Sequence, residues 1–304
     1  MGFAKLAGMA DTTHIILGKL GLILAVGLVF AYTVACLVLR FAQSWFIFFP
    51  TRKILATPQD LDLSYQEIWL PITTEAGKNE QVHGWWIPFS STSSTEERVI
   101  LDCHGNGSNI SANLGYAQRF NQMGLSVFLI DYRGYGRSTK RVPSETSVYQ
   151  DVELAWNYLV NERGIKPHNI FIFGHSLGGA IAIELATKHP DLAGLIVESS
   201  FTSIRKMVDY QGRYWMFPVD LLLTQTFDSI SKVSQLKMPI LFTHGTEDDV
   251  VPVEMSRELF EEATEPKQLL IVPGADHNDV CQVGGSIYLE ALQKFLEENS
   301  PRTV

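Results

Sequence analysis

The run Gly174-His175-Ser176-Leu177-Gly178-Gly179 constrains this 304-residue chain more than any other feature. An apolar stretch, Ile170-Phe171-Ile172-Phe173, leads into it, and a helical pattern over residues 180–188 leads out. A strand that turns straight into a helix must reverse sharply, so the residues two before and two after the apex have to be small. Gly174 and Gly178 meet that need around Ser176. At such an apex the serine hydroxyl is lifted above the end of the strand, and the Leu177 amide stands at a helix N-terminus, where backbone N–H groups lack partners.

The rest of the chain alternates in the same way. Residues 99–103, 126–130, 170–173, 195–197, 240–242 and 269–272 are short apolar runs, each followed closely by Gly, Asp, Glu, His or Pro. Strands buried on both faces of a parallel sheet have this character. Helical patterns separate them. Val148, Val152, Ala155, Trp156 and Leu159 share one helix face, with a start expected at Ser147 and Gln150 as its capping partner. Residues 256–263 and 286–299 are amphipathic. The alternation predicts an α/β fold, a mostly parallel twisted sheet with helices on both faces. Residues 67–87, with Trp69, His83, Trp85 and Trp86, are expected to add antiparallel strands at one edge. The Ser/Thr patch at 90–95 reads as a hairpin loop.

An alcohol is a poor nucleophile at neutral pH and needs a base, an orienting acid and donors for the oxyanion. For the base, His277 stands in Pro273-Gly274-Ala275-Asp276-His277-Asn278-Asp279, after the last strand, and no other histidine follows Asp248. For the acid, the loop after 240–242 offers Glu247, Asp248 and Asp249 in a row, and spacing alone leaves the choice open. Glu198 is a more distant candidate. The order serine, acid, histidine suits this kind of sheet. For the oxyanion, Cys103-His104-Gly105-Asn106-Gly107-Ser108-Asn109 follows the first parallel strand. The Asn106 amide (or that of Gly107) would pair with the Leu177 amide. His104, His175 and His244 are expected to serve structure rather than to act as bases.

Taken together, these residues resemble the α/β-hydrolase superfamily, in particular its membrane-anchored, small-lid serine hydrolases of the ABHD type. The resemblance runs from about residue 43 to 296. It rests on Phe49-Pro50-Thr51-Arg52, His104-Gly105-Asn106, Asp131-Tyr132-Arg133-Gly134-Tyr135-Gly136-Arg137-Ser138, Gly174 to Gly179, Glu198-Ser199-Ser200-Phe201-Thr202-Ser203, His244-Gly245-Thr246-Glu247-Asp248 and Gly274 to Asp279. It implies an α/β-hydrolase fold. It also selects the fifth residue of His-Gly-Thr-x-Asp, Asp248, as the acid beside Ser176 and His277. In such a fold the aromatic-rich stretch 201–237 would be a short lid. One departure is Asp276, where relatives often carry glycine. The implied reaction is hydrolysis of an ester, thioester, amide or peptide bond through an acyl-enzyme, with no metal and no cofactor. An acyl ester or thioester leads, on a lipid or a lipidated protein, with a peptidase or a non-catalytic membrane-anchored module as alternatives.

Residues 20–39, LGLILAVGLVFAYTVACLVL, carry no charge and lie between Lys19 and Arg40. At about 1.5 Å per residue such a helix covers the ~30 Å apolar core of a bilayer. A cleaved signal would have a shorter apolar region, and here the run continues past the small residues near Ala35. A single-pass anchor is therefore expected. Residues 1–53 would form the anchor and an aromatic, basic interfacial segment, and 54–304 the catalytic domain. Arg40, Arg52 and Lys53 after the span outnumber Lys5 and Lys19 before it, which leans the catalytic domain to the cytoplasmic side. The net charge of -9 speaks against a nucleic-acid partner. Cys36, Cys103 and Cys281 show no metal or disulfide spacing and read as packed thiols.

Overall fold

The structure is a computed structural model that describes residues 2–74, 77–89 and 96–300, with side chains from Leu17 onward. The expected hairpin loop at 90–95 lies outside the described residues. The chain divides into two compact units. One is the stretch up to Gln43 together with Trp215–Thr224, and the other holds the remainder.

The smaller unit is built on helix α1 (Gly2–Phe41). Its portion Leu17–Phe41 is long and apolar enough to cross a membrane, and none of that portion's apolar window is buried. Residues 215–224, which include a single helical turn at Val219–Leu222, lie along the C-terminal part of α1.

The larger unit contains an eight-stranded sheet. Its strands are β1 (Gln66–Thr73), β2 (Asn79–Ile87), β3 (Val99–Cys103), β4 (Ser126–Asp131), β5 (Ile170–His175), β6 (Gly194–Glu198), β7 (Ile240–Gly245) and β8 (Lys267–Val272). They lie in the order β1-β2-β4-β3-β5-β6-β7-β8. β2 runs antiparallel to both of its neighbours, and every other pairing is parallel. The edge strands expected over 67–87 are thus the β1–β2 hairpin.

Side chains alternate across a strand, so each parallel strand supplies two cores. Ile100, Leu129, Phe171, Phe173, Ile196 and Leu241 face one way. They pack on helices α2 (Leu114–Gln122) and, at the end of the chain, Val280–Glu298, through Phe120, Leu292 and Phe295. Leu101, Phe128, Ile172, Val197 and Phe242 face the other way. They pack on α3 (Glu145–Asn157), α4 (Leu177–Lys188) and the helix Val253–Glu262, through Val152, Ile181 and Leu259. Two faces covered by helices account for the near-continuous apolar character of these strands. Helix α5 (Ile204–Gln211) follows β6, and the last two helices are α6 (Val253–Glu262) and α7 (Val280–Glu298).

Three details differ from the sequence reading. α3 begins one turn earlier than Ser147: Ser144 is its N-cap and accepts the Ser147 amide at 3.2 Å, while the Ser147 hydroxyl oxygen accepts the Ser144 amide at 2.9 Å. The reciprocal pair satisfies two orphan donors at once, so it outcompetes a start at Ser147. The C-terminal helix begins at Val280 and breaks at Gly285 (φ 50°, ψ -127°), and the amphipathic stretch from residue 286 is its second half. Residues 44–53 belong to the larger unit instead of the anchor. Phe48 is buried in the core, and Phe49–Pro50 pairs in parallel with Gly107–Ser108.

Candidate active site

β5 continues its ladder through Gly174 and His175, which pair with Val197 and Glu198 of β6. Ser176 then takes φ 55° and ψ -122° before α4 begins at Leu177. A serine in that region is strained, and the surroundings hold it there. Its amide donates to the Glu198 carbonyl at 2.9 Å, and its carbonyl accepts from the Gly179 amide at 2.9 Å and the Ser200 hydroxyl at 2.8 Å. The close approach needs glycine on both sides. A Cβ at Gly174 would stand 2.3 Å from the Gly178 carbonyl oxygen, and one at Gly178 would stand 1.8 Å from that of Cys103.

Three elements far apart in sequence meet at this apex. His277, in the loop between β8 and α7, brings Nε2 to 3.0 Å from the Ser176 hydroxyl. Its Nδ1 lies 2.7 Å from Oδ2 of Asp248, in the loop after β7. Nδ1–H donating to the carboxylate leaves Nε2 as the acceptor of the serine proton. All three side chains belong to residues at most 8% exposed, so little water competes for these bonds. Of the other acid candidates, Glu247 and Asp249 are exposed. Glu198 is fully buried and takes bonds from the Tyr116 hydroxyl (2.6 Å) and the Thr243 hydroxyl (3.0 Å).

Burial alone would raise the Asp248 pKa. Hydrogen bonds from His244, His277 and the Val251 amide more than reverse that, and hold the carboxyl well below the usual carboxylate range. Its Oδ1 accepts the Val250 and Val251 amides at 2.9 and 2.8 Å. His244 is the partner that sequence reasoning assigned only to structure. Its Nε2 lies 3.0 Å from Asp248 Oδ2 and 2.9 Å from the Val251 carbonyl, and its Nδ1 lies 2.6 Å from the Ser256 hydroxyl. Two acceptors at Nε2 fix the proton there, so His244 is a second donor to the acid. The His-x-x-x-Asp spacing within one motif was the signal for it.

The remaining histidines brace the loops. His175 Nε2 donates to the His277 carbonyl at 2.8 Å, and burial pushes the His175 pKa down, which favours the neutral ring. His104 packs on Tyr132 and Tyr135. Asp276 accepts the His277 amide at 2.5 Å. Asp248, Asp249 and Asp276 bring carboxylate oxygens within 4.8 Å of one another, but both Asp248 oxygens are already committed to the bonds above.

The loop after β3 comes up beside the serine. A Cβ on Gly105 would stand 3.6 Å from Ser176 Cβ. Asn106 follows, its carbonyl taking the Phe49 amide (2.9 Å) and the Tyr135 hydroxyl (2.7 Å), its side-chain amide donating to the Ile47 carbonyl (3.1 Å). The segment that follows α1 therefore pins this loop, a long-range role with no periodic signature. Beneath it, Asp102 of β3 accepts one bond, from Asn113 at 2.6 Å, while Oδ2 has no partner among the described residues. Burial pushes its pKa up to about 8, the Asn113 bond opposes this, and the Glu198 charge adds to it.

The fold has many counterparts among solved structures. An uncharacterised Mycobacterium tuberculosis protein is 33% identical over 84% of this chain and 90% of its own length. Human alpha/beta hydrolase domain-containing protein 17B is 36% identical over 69% of this chain and 70% of its own. The chain belongs to the α/β-hydrolase family. Within this hydrolase, residues 94–231 match the serine aminopeptidase S33 family. The solved Pyrococcus furiosus esterase Pf2001 superposes with a TM-score of 0.67, covering 83% of this chain and 98% of that one at 21% identity. The α/β-hydrolase fold expected from the sequence is the fold observed, and its N-terminal apolar helix is a candidate membrane anchor.

Proposed function

We propose that this α/β-hydrolase is a serine esterase or thioesterase that acts on acyl groups presented at a membrane. Ser176 attacks the acyl carbonyl while His277 Nε2 takes its proton, and Asp248 holds the imidazole in the productive tautomer and stabilises the imidazolium. The Asn106 and Leu177 amides receive the oxyanion, each contributing about 2.7–4 kcal/mol to the transition state. His277 then returns the proton to the leaving alcohol or thiol. A water activated by the same nitrogen hydrolyses the acyl-enzyme. No metal or cofactor enters these steps.

The observation that carries the reading is the chain of bonds Ser176–His277–Asp248, at 3.0 and 2.7 Å, on a strained elbow beside a glycine loop. The apolar helix α1 supports a membrane-presented acyl substrate. The excess of Arg40, Arg52 and Lys53 after the span favours the cytoplasmic side for the catalytic unit. In the folded full-length protein, a fluorophosphonate probe should label wild type and leave Ser176→Ala unlabelled. Equal labelling of the two would remove Ser176 as nucleophile. The S33 match keeps one rival, a serine peptidase. Acyl p-nitrophenyl esters and thioesters are expected to turn over faster than matched peptide amides, and the reverse order would favour the peptidase.

A further inference from the structure

Residues 215–224 read Trp-Met-Phe-Pro-Val-Asp-Leu-Leu-Leu-Thr, inside the stretch expected to be a lid. They do not collapse onto a core of their own. Trp215 is 81% exposed and Leu221 80%. An apolar stretch displayed this openly on a folded protein marks a binding surface.

The segment is fastened to α1. The Tyr32 hydroxyl donates to the Met216 carbonyl at 3.0 Å, and the Tyr32 ring stacks on Phe217 with centroids 5.5 Å apart. One turn past the apolar run, the Gln43 side-chain amide donates to the Leu222 carbonyl at 2.6 Å, and its oxygen accepts the Thr224 amide at 2.9 Å. From Tyr32 to Gln43 a helix rises about 16 Å, roughly half the apolar thickness of a bilayer. The segment therefore runs beside one half of the candidate span, the half that ends at Arg40.

From Val219 onward its backbone is largely self-contained. The Val219 amide donates to Phe217, the Leu221 and Leu222 amides to Pro218, and the Leu223 amide to Val219. Thr224 is served by Gln43, and Pro218 has no N–H to satisfy. On a wet surface such internal pairing is optional, whereas in hydrocarbon each unmet group costs several kcal/mol. Asp220, the one charge in the stretch, is engaged with another group of the protein.

We infer that residues 215–224 are a second membrane element, immersed in the leaflet next to the C-terminal half of α1. The occupant of the exposed apolar face is lipid acyl chain, because the face is continuous with a helix that presents apolar residues on every side. The inference rests on α1 being a membrane anchor, and it makes the middle of the lid the part that meets lipid.

The test is site-specific photo-crosslinking of the full chain in phosphatidylcholine vesicles, with p-benzoylphenylalanine placed singly at Leu221, at Trp215, at Leu28 in the anchor and at Val142 on the larger unit. The first three are more than 70% exposed, so the probe replaces no packing. Lipid adducts read by mass spectrometry are expected at Leu28, Leu221 and Trp215, each at least about tenfold above Val142. Adducts at Leu28 with none above the Val142 level at Leu221 and Trp215 would overturn the inference and leave the anchor intact. No adduct at any of the three would overturn both.

Discussion

Asp248 and Asp102 are two carboxylates of one catalytic unit, both almost removed from water, with opposite responses to burial. Asp248 lies in the loop after β7 and receives the Val250 and Val251 amides and two imidazoles, and its pKa is driven down. Asp102 lies within β3 and receives one bond, with one oxygen unpartnered among the described residues, and its pKa is pushed up to about 8. Both residues are largely shielded from water, Asp102 the more deeply, and the number of donors differs. Burial penalises a charge in both places, and only enough hydrogen bonds to the charged form reverse the penalty. In the proposed mechanism the acid has to stay ionised, and the loop after β7 is built to supply that. Asp102 is a sheet residue whose surroundings favour the neutral acid.

The sharpest way to break this comparison is Asp248→Asn. The amide still accepts the Val250 and Val251 amides, but it offers N–H to His277 Nδ1 and favours the tautomer that cannot take the Ser176 proton. A fall in kcat of about 10⁴-fold is expected, together with a lower Tm because the hydrogen-bonded carboxylate also stabilises the fold, as read by ester hydrolysis and thermal denaturation. A variant within tenfold of wild type would show that the acid is elsewhere.

His244→Phe comes next. It removes one donor from the carboxylate while keeping an aromatic ring in a fully buried site. A loss of about tenfold in kcat is expected, equivalent to about 1.4 kcal/mol, measured per active site titrated with a fluorophosphonate. An unchanged kcat would mean that the His277 bond and the loop amides suffice.

Asp102→Asn should have the smallest effect on turnover, within about threefold, and should show itself in stability. An unfolded aspartate titrates near ~3.9. In the native protein Asp102 keeps its proton to about pH 8, so between these values the native state binds more protons than the unfolded one. Stability contributed at this site therefore falls as pH rises through that window. Asp248 has the opposite sign: its contribution is present above ~4 and is lost as pH falls. Urea midpoints taken from pH 4 to 9 should decline less in Asp102→Asn than in wild type. Parallel curves would contradict the raised pKa.

Much of this frame was legible from residue order. The apolar runs at 99–103, 170–173 and 240–242 became β3, β5 and β7, because strands covered on both faces must be apolar throughout. The first was read to its full length, and the ends of the other two were read short. Gly174-His175 and Thr243-His244-Gly245 look like turn residues, yet the parallel ladder carries them. The family resemblance picked Asp248 from three adjacent acids, and the geometry puts that residue, and neither Glu247 nor Asp249, in contact with His277. What stayed hidden depends on single long-range bonds: Phe49 on Asn106 and Gln43 on Leu222. One bond between residues tens or hundreds of positions apart leaves no period in the chain.

The clearances around the elbow bear on how loss of the enzyme would show itself genetically. Any missense codon at Gly174 or Gly178 forces a Cβ to within about 2.3 Å or 1.8 Å of a main-chain oxygen that cannot retreat. Such alleles are expected to deplete the protein itself, while a change at Ser176 leaves full-length, folded and silent protein. Two null phenotypes, separable on one immunoblot, would distinguish a need for hydrolysis from a need for the folded polypeptide.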